Sequence, residues 1–364
     1  MKFIDIANPG VQRLQPYQAG KPIEELEREL GISNIVKLAS NENPFGFPQS
    51  AKQAISRQLD ELTRYPDANG FELKQTIAQK FNLQPQQITL GNGSNDLLEI
   101  TAHTFLNADD EVIFSQYTFI VYPLVSQAIN AKAVVIPAKA FGHDLEGFLA
   151  AINDKTKVIY IANPNNPTGT FLTAEQLEAF LAQVPPHILV ILDEAYTEFT
   201  SREERVPSFD LLKQYPNLVI CRTLSKAYGL AGLRIGYMVS SPEVADLCNR
   251  VRQPFNCNSL ALSAAIAVLN DDQFIEKVSE NNRSEMQRYE TFFQQQGLDY
   301  IPSKGNFITV DLKQTAQPIY QKLLENGVIV RPIAGYGLPN HLRISIGLPE
   351  ENDRFFTALS SILK

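Results

Sequence analysis

Six short runs of apolar, mostly β-branched residues recur between residues 111 and 240, and nothing else in this chain constrains its fold as strongly. They are EVIFS (111–115), KAVVIP (132–137), KVIYIA (157–162), ILVILD (188–193), NLVIC (217–221) and IGYMVS (235–240). Each is too short for a buried helix and too continuously apolar for a strand with one wet face. The helical stretches DLLEITAHTF, TAEQLEAFLAQ and PEVADLCNRV lie between several of them. Apolar strands alternating with helices require a parallel or mixed sheet covered on both faces. The predicted class is α/β, with a large, mainly parallel sheet domain.

The rest of the 364 residues divides into an arm and a second domain. Residues 1–47 are punctuated by proline and glycine and hold one short helix, IEELEREL, ending at Gly31. Helical periodicity then leads into the strand QITL (87–90) and a large domain spanning 48–260. From 261 to 364 the texture changes to long helices, the isolated strands FITVDL and HLRISIG, and a last helix ENDRFFTALSSIL. That pattern predicts a smaller α+β domain with the arm packed on it.

Composition excludes several functions. With 44% hydrophobic and 20% charged residues the chain is not disordered. A net charge of −8 with no basic block argues against a nucleic-acid partner. Cys221, Cys248 and Cys257 form no CxxC pair, and the four histidines have no metal spacing, so no metal site is expected and a reducing cytoplasm suits the chain. The N-terminus breaks at Asn8-Pro9-Gly10 before a signal core can form, and no run reaches the ~18 apolar residues of a membrane span.

Four loops carry the chemistry, at strand ends where open α/β sheets place their ligands. Lys226, in TLSKAYGLAGLR (223–234), follows NLVIC among small and apolar residues. There its amine can be desolvated and made nucleophilic toward an aldehyde, with Thr223, Ser225 and Arg234 as donors to a phosphate. Asp193, in LDEAY, ends the most apolar strand, where a buried carboxylate needs a charged or hydrogen-bonding partner. The loop NPNNPTG (163–169) is a rigid turn that can hold an Asn amide against a ligand. GNGSND (91–96) is a glycine-rich strand-to-helix turn that offers N–H groups to an anion. It lacks the third glycine of a dinucleotide fingerprint and the lysine of a Walker loop. Taken singly, a surface lysine, a helix-capping Asp and two ordinary turns would explain each.

Taken in order, the four motifs resemble fold-type I pyridoxal-phosphate aminotransferases. PYQ (16–18), LASNENP (38–44), RYPD (64–67), Val330-Arg331 and HLRISIG (341–347) narrow the likeness to the histidinol-phosphate aminotransferases, over nearly the whole chain. The resemblance implies pyridoxal 5'-phosphate on Lys226 as a Schiff base and Asp193 against the ring nitrogen. It also implies Asn166 and Tyr196 as donors to the phenolic oxygen and Tyr117 stacked on the ring. Ser94, Asn95, Thr223, Ser225 and Arg234 would form the phosphate cup, completed by Tyr65 from the second subunit of a homodimer. Tyr17, Asn41, Arg331 and Arg343 would bind substrate. In the family, amino transfer runs between histidinol phosphate and 2-oxoglutarate, giving glutamate. Ser115-Gln116 precedes Tyr117 where many relatives have proline, a departure that bears on the stacking role. Aromatic amino-acid aminotransferases and threonine-phosphate decarboxylases share nearly all these motifs, because a guanidinium fork suits phosphate and carboxylate alike. A regulator with an aminotransferase-like sensor would need a helix-turn-helix domain that this arm does not contain.

Overall fold

The computed structural model describes residues 2–16 and 20–364. The arm contributes one short strand, β1 (Val36–Lys37). The large sheet follows as β2 (Ile88–Gly91), β3 (Glu111–Ser115), β4 (Lys132–Ile136), β5 (Thr156–Ala162), β6 (Leu189–Asp193), β7 (Leu218–Thr223) and β8 (Gly236–Val239). These seven lie in the order β2-β8-β7-β6-β5-β3-β4. Only β8 among them runs antiparallel to its neighbours. The C-terminal part adds β9 (Asp299–Ile301), β10 (Phe307–Asp311), β11 (Val328–Ile329), β12 (Arg331–Pro332) and β13 (His341–Ser345).

Alternate residues of the central strands enter two different cores, which is why their sequences are apolar throughout. On β6, Val190 and Leu192 pack into one core while Leu189 and Ile191 pack into the other. On β7, Leu218 and Ile220 take the first side and Val219 and Cys221 the second. Each such fully buried aliphatic side chain contributes about 1.5–3 kcal/mol. The helix Ser94–Phe105 covers one face with Leu97 and Leu98; the helix Ala174–Leu181 covers the other with Leu177 and Phe180.

Two expectations about domains change. The change of texture near 260 places the helix Ser259–Leu269 in the small domain. Its Ala261, Ala264, Ala265 and Val268 instead pack into the large-domain core, with Ala51 on the helix Gln49–Gln58. The changeover falls inside the long helix Asp272–Gln295, whose Ile275 touches the large core and whose Met286, Tyr289 and Phe293 belong to the small one. The arm is also shared. Its helix Ile23–Leu30 and β1 pack on the small domain, β1 pairing in parallel with β11. Its Pro9–Gln12 turn instead lies on the large-domain helix Val121–Ile129, so close that a Cβ on Gly10 would sit 1.8 Å from the Gln127 carbonyl oxygen. The strands FITVDL and HLRISIG, isolated in sequence, pair with each other as β10 and β13, in a four-stranded antiparallel sheet flanked by β9 and β12.

Candidate active site

Register brings the site together. Ala162, Asp193 and Cys221 stand side by side across β5, β6 and β7, so three loops leave the sheet at one level. Because β8 is reversed, its beginning lies at that same edge, with Gly236 beside both Thr223 and Gly91. Arg234, just before β8, is thereby brought to the loop after β2. A cavity of about 220 Å³ opens above this edge, walled by the arm and the small domain as well.

One end of the cavity is an anion cradle. Ser94 and Asn95 start the twelve-residue helix Ser94–Phe105, whose N-terminal N–H groups and dipole favour negative charge. Gly93 has φ +85°, and a Cβ there would sit 2.4 Å from Arg234 Nη2, so only glycine lets the guanidinium lie over the turn. Arg234 Nη1 donates to Ser225 Oγ at 3.3 Å, and Thr223 Oγ1 accepts from the Ser225 N–H at 3.1 Å.

Lys226 and Asp193 both line the cavity, Asp193 buried and Lys226 partly buried. Lys226 Nζ donates to the Ser40 carbonyl at 3.0 Å, and burial, seconded by the Arg343 guanidinium, lowers its amine to about 8. Burial lifts the Asp193 carboxyl to about 6, against hydrogen bonds from Tyr122 (2.9 Å) and the Ala195 N–H (3.2 Å). The lysine loop is held by the arm: Asn43 Nδ2 donates to the Ala227 carbonyl at 2.7 Å.

Hydrogen-bond direction leaves two donors available. Arg343 Nη1 donates to Asn166 Oδ1 at 2.5 Å, and Arg343 Nη2 to the Ala39 carbonyl at 2.7 Å. An arginine only donates, so the atom it meets on Asn166 is the oxygen and the amide nitrogen remains a donor. Asn41 Nδ2 donates to Tyr196 Oη at 2.9 Å, while Ser345 Oγ donates to Asn41 Oδ1 at 2.9 Å. The Tyr196 hydroxyl is thus left to donate as well. Burial raises its phenol to about 12, keeping that proton in place at neutral pH.

Most of the residues singled out in the sequence converge: Arg331 and Arg343 line this cavity with Asn41, Asn166 and Tyr196. Two of them are elsewhere. Tyr117 does not line the cavity; it adopts φ +45° and its ring lies 5.9 Å from that of Phe141. Phe119, two residues on, lines the cavity instead, along with Tyr196 and Tyr336. Tyr65 is 81% exposed and stacks on Phe255 at 4.6 Å, outside its own chain's cavity. Tyr17 lies outside the described residues. Sequence reasoning missed Phe119, Ser40 and Tyr336, all on the cavity wall. An aromatic two residues beyond Tyr117 was the available signal for Phe119; Tyr336 sits in a short turn with none.

Comparison with known proteins agrees with this geometry. Residues 33–359 match the family described as aminotransferase class I and II. A histidinol-phosphate aminotransferase 2 of Haemophilus influenzae (strain 86-028NP) is 76% identical over 364 residues, covering both chains in full. A histidinol-phosphate aminotransferase 1 of Mannheimia succiniciproducens is 74% identical over 363 residues, covering 100% of this chain and 99% of its own. The crystal structure of the Sinorhizobium meliloti histidinol-phosphate aminotransferase in complex with pyridoxal-5'-phosphate superposes with a TM-score of 0.89 at 31% identity, covering 98% of this chain and 96% of that one. With the match spanning most of its length and its cavity built from the ordered motif loops, the chain belongs to the class I and II aminotransferase family.

Proposed function

We propose that the protein transfers an amino group between L-histidinol phosphate and 2-oxoglutarate, with pyridoxal 5'-phosphate as cofactor, in L-histidine biosynthesis. The observation that carries this reading is one cavity holding a buried amine, a buried carboxylate and two separate sets of anion donors. The names of the relatives agree with it.

The donor set fits the cofactor. The Gly93–Arg234 cradle with Ser94, Asn95, Thr223 and Ser225 takes the phosphate, where a side chain at Gly93 would collide. Asp193 would hold the ring nitrogen, Asn166 and Tyr196 would donate to the phenolic oxygen, and Phe119, which lines the cavity where Tyr117 does not, would take the ring face. Bound there, pyridoxal phosphate supplies an electron sink for the pair left when the substrate loses its α-proton. Lys226 Nζ would hold the cofactor through its amine and, once displaced by the substrate's own amine, would be free, with a value lowered to about 8, to take the α-proton and return it. Asp193, by its negative charge, would hold a proton on the ring nitrogen. Arg331 and Arg343 hold the substrate's remote anion: a phosphate in one half-reaction, a carboxylate in the other. The arm segment around Ser40 and Asn41 covers the cavity against water.

The working unit of this reading is a homodimer with shared sites, Tyr65 reaching the partner's cofactor phosphate. Among the described residues no helix is long and apolar enough to cross a membrane, and the three cysteines are buried free thiols. We assign the enzyme to the cytoplasm. A half-reaction screen tests the substrate. Loaded enzyme is mixed singly with histidinol phosphate, phenylalanine, tyrosine and threonine phosphate while the cofactor absorbance is followed. Histidinol phosphate should bleach the visible band fastest. An equal rate with phenylalanine or tyrosine would make it a broader aromatic aminotransferase, and carbon dioxide from threonine phosphate would make it a decarboxylase.

A further inference from the structure

Both oxygens of Asp193 accept a hydrogen bond from within the protein. Oδ1 accepts from the Ala195 N–H at 3.2 Å, and Oδ2 accepts from the Tyr122 hydroxyl at 2.9 Å. Tyr122 belongs to none of the motif loops. It sits on the helix Val121–Ile129, fully buried, its ring stacked on Tyr160 with centroids 4.6 Å apart and planes 8° from parallel. The edge of Phe119 meets it at 5.8 Å, so the same side chain touches the cavity's aromatic wall. Burial and the neighbouring carboxylate push the Tyr122 phenol well above its ordinary value. The hydroxyl therefore keeps its proton, and the direction of the bond is settled: phenol donates, carboxylate accepts.

We propose that Tyr122 is a positioning residue for the reaction: its hydroxyl orients the Asp193 carboxylate toward the cavity and sets how firmly that carboxylate holds the proton on the cofactor's ring nitrogen. The inference rests on the cofactor reading above. The groups facing Asp193 are few. Lys226 favours its charge, while Glu194 beside it, Cys221 across the strand pair and Tyr196 do not. Among the described residues, Tyr122 and the Ala195 N–H alone donate hydrogen bonds to it, and the first of these is the one that substitution of a side chain removes. Hydrogen bonds to charged groups are the strong ones, so the loss is large enough to measure. Without the hydroxyl the carboxylate becomes more basic and draws the ring proton toward itself. The ring then withdraws fewer electrons, and the nitrogen linking it to Lys226 keeps its own proton to higher pH.

The stacked partner supplies the control. Tyr160 is equally buried and aromatic, but among the described residues its hydroxyl has no hydrogen-bond partner. Tyr122→Phe and Tyr160→Phe each remove one oxygen from the same stack. Both variants and the wild type are loaded with pyridoxal phosphate, and the visible absorbance of each is titrated against pH. Tyr122→Phe should raise the spectral midpoint by about one pH unit and slow the half-reaction about tenfold. Tyr160→Phe should titrate with the wild type. A Tyr122→Phe midpoint equal to wild type overturns the proposal, and so does an equal shift in Tyr160→Phe, which would make the effect one of packing. If Tyr122→Phe does not fold, 3-fluorotyrosine at position 122 keeps the shape and donates more strongly. Its midpoint should fall, and an unmoved midpoint sinks the idea equally. A wild type that gains no visible band with pyridoxal phosphate refutes the cofactor reading instead, a result these shifts cannot mimic.

Discussion

Burial moves Lys226 and Asp193 toward their neutral forms, the amine down to about 8 and the carboxyl up to about 6, so the site is reactive and unstable for one reason. Asp193 in the cofactor-free protein lies above its ordinary 3.8, so its contribution to stability is full below that value and is lost as pH rises through about 6. Raising the carboxyl from 3.8 to about 6 corresponds to about 3 kcal/mol. Lys226 acts in another window: lying below 10.5, its contribution is present above that value and lost as pH falls through about 8, leaving it nearly constant between pH 5 and 7. Cofactor-free Asp193→Asn should therefore melt above wild type at pH 7, with the gap falling to about half by pH 5. Calorimetry at the two pH values checks this, and a gap that does not shrink on acidification contradicts it. The same variant, loaded with cofactor, should keep the covalent attachment yet lose at least about a hundredfold in turnover, a barrier increase of about 3 kcal/mol. Borohydride reduction and peptide mapping should put the pyridoxyl group on Lys226; finding it on Lys213 would refute the assignment.

At the scale of elements, the strands and the loops after them were legible because burial on both faces leaves a strand no choice of composition. EVIFS predicts the observed β3 to the residue, and ILVILD misses β6 by one. The loop ends were legible because Lys226, Asp193 and Asn166 are costly where apolar strands finish. Illegible were features fixed by backbone direction or by distant pairing. Tyr117 and Phe119 stand two apart in QYTF, and nothing in that spacing shows that Phe119 lines the cavity while the Tyr117 ring, on a backbone of positive φ, lies near Phe141. Two-residue strands such as β1 and β11 carry no periodicity, so their pairing is invisible before folding. Apolar residues on the helix Ser259–Leu269 suit either core, which is why 260 reads as a boundary and is not one. These distinctions are measurable. Phe119→Ala should weaken cofactor binding about tenfold, the scale of one aromatic contact, while Tyr117→Ala should change it far less. Equilibrium dialysis of the two variants decides between them, and the reverse ranking would restore Tyr117. Gly93→Ala should be worse than either, because its methyl meets both a positive φ and the Arg234 guanidinium.

For the whole molecule, the most exposed large ring outside the N-terminal residues is Tyr65. It is 81% exposed and stacks on the exposed Phe255, and Leu59, Leu62 and Phe71, close to it in the chain, are exposed apolar side chains as well. Exposed apolar residues gathered in this way mark a surface that is covered in use. Its own cavity is elsewhere, so if Tyr65 serves a cofactor, that cofactor belongs to a second copy of the chain. A two-fold pair makes the exchange reciprocal, each subunit completing the other's phosphate cradle. Complementation separates this from a tyrosine that only packs at an interface. Inactive Lys226→Ala subunits are unfolded and refolded together with weakened Tyr65→Phe subunits. In a mixed dimer the site with an intact Lys226 receives its Tyr65 from the Lys226→Ala partner. Activity should then exceed that of either parent, reaching about half of the wild-type value in each mixed dimer. If Tyr65 served its own subunit, every intact Lys226 would still share a site with phenylalanine, and the mixture would show no gain. Sedimentation of the same samples must show dimers in both cases, so that an absent gain counts against the crossing tyrosine and not against assembly.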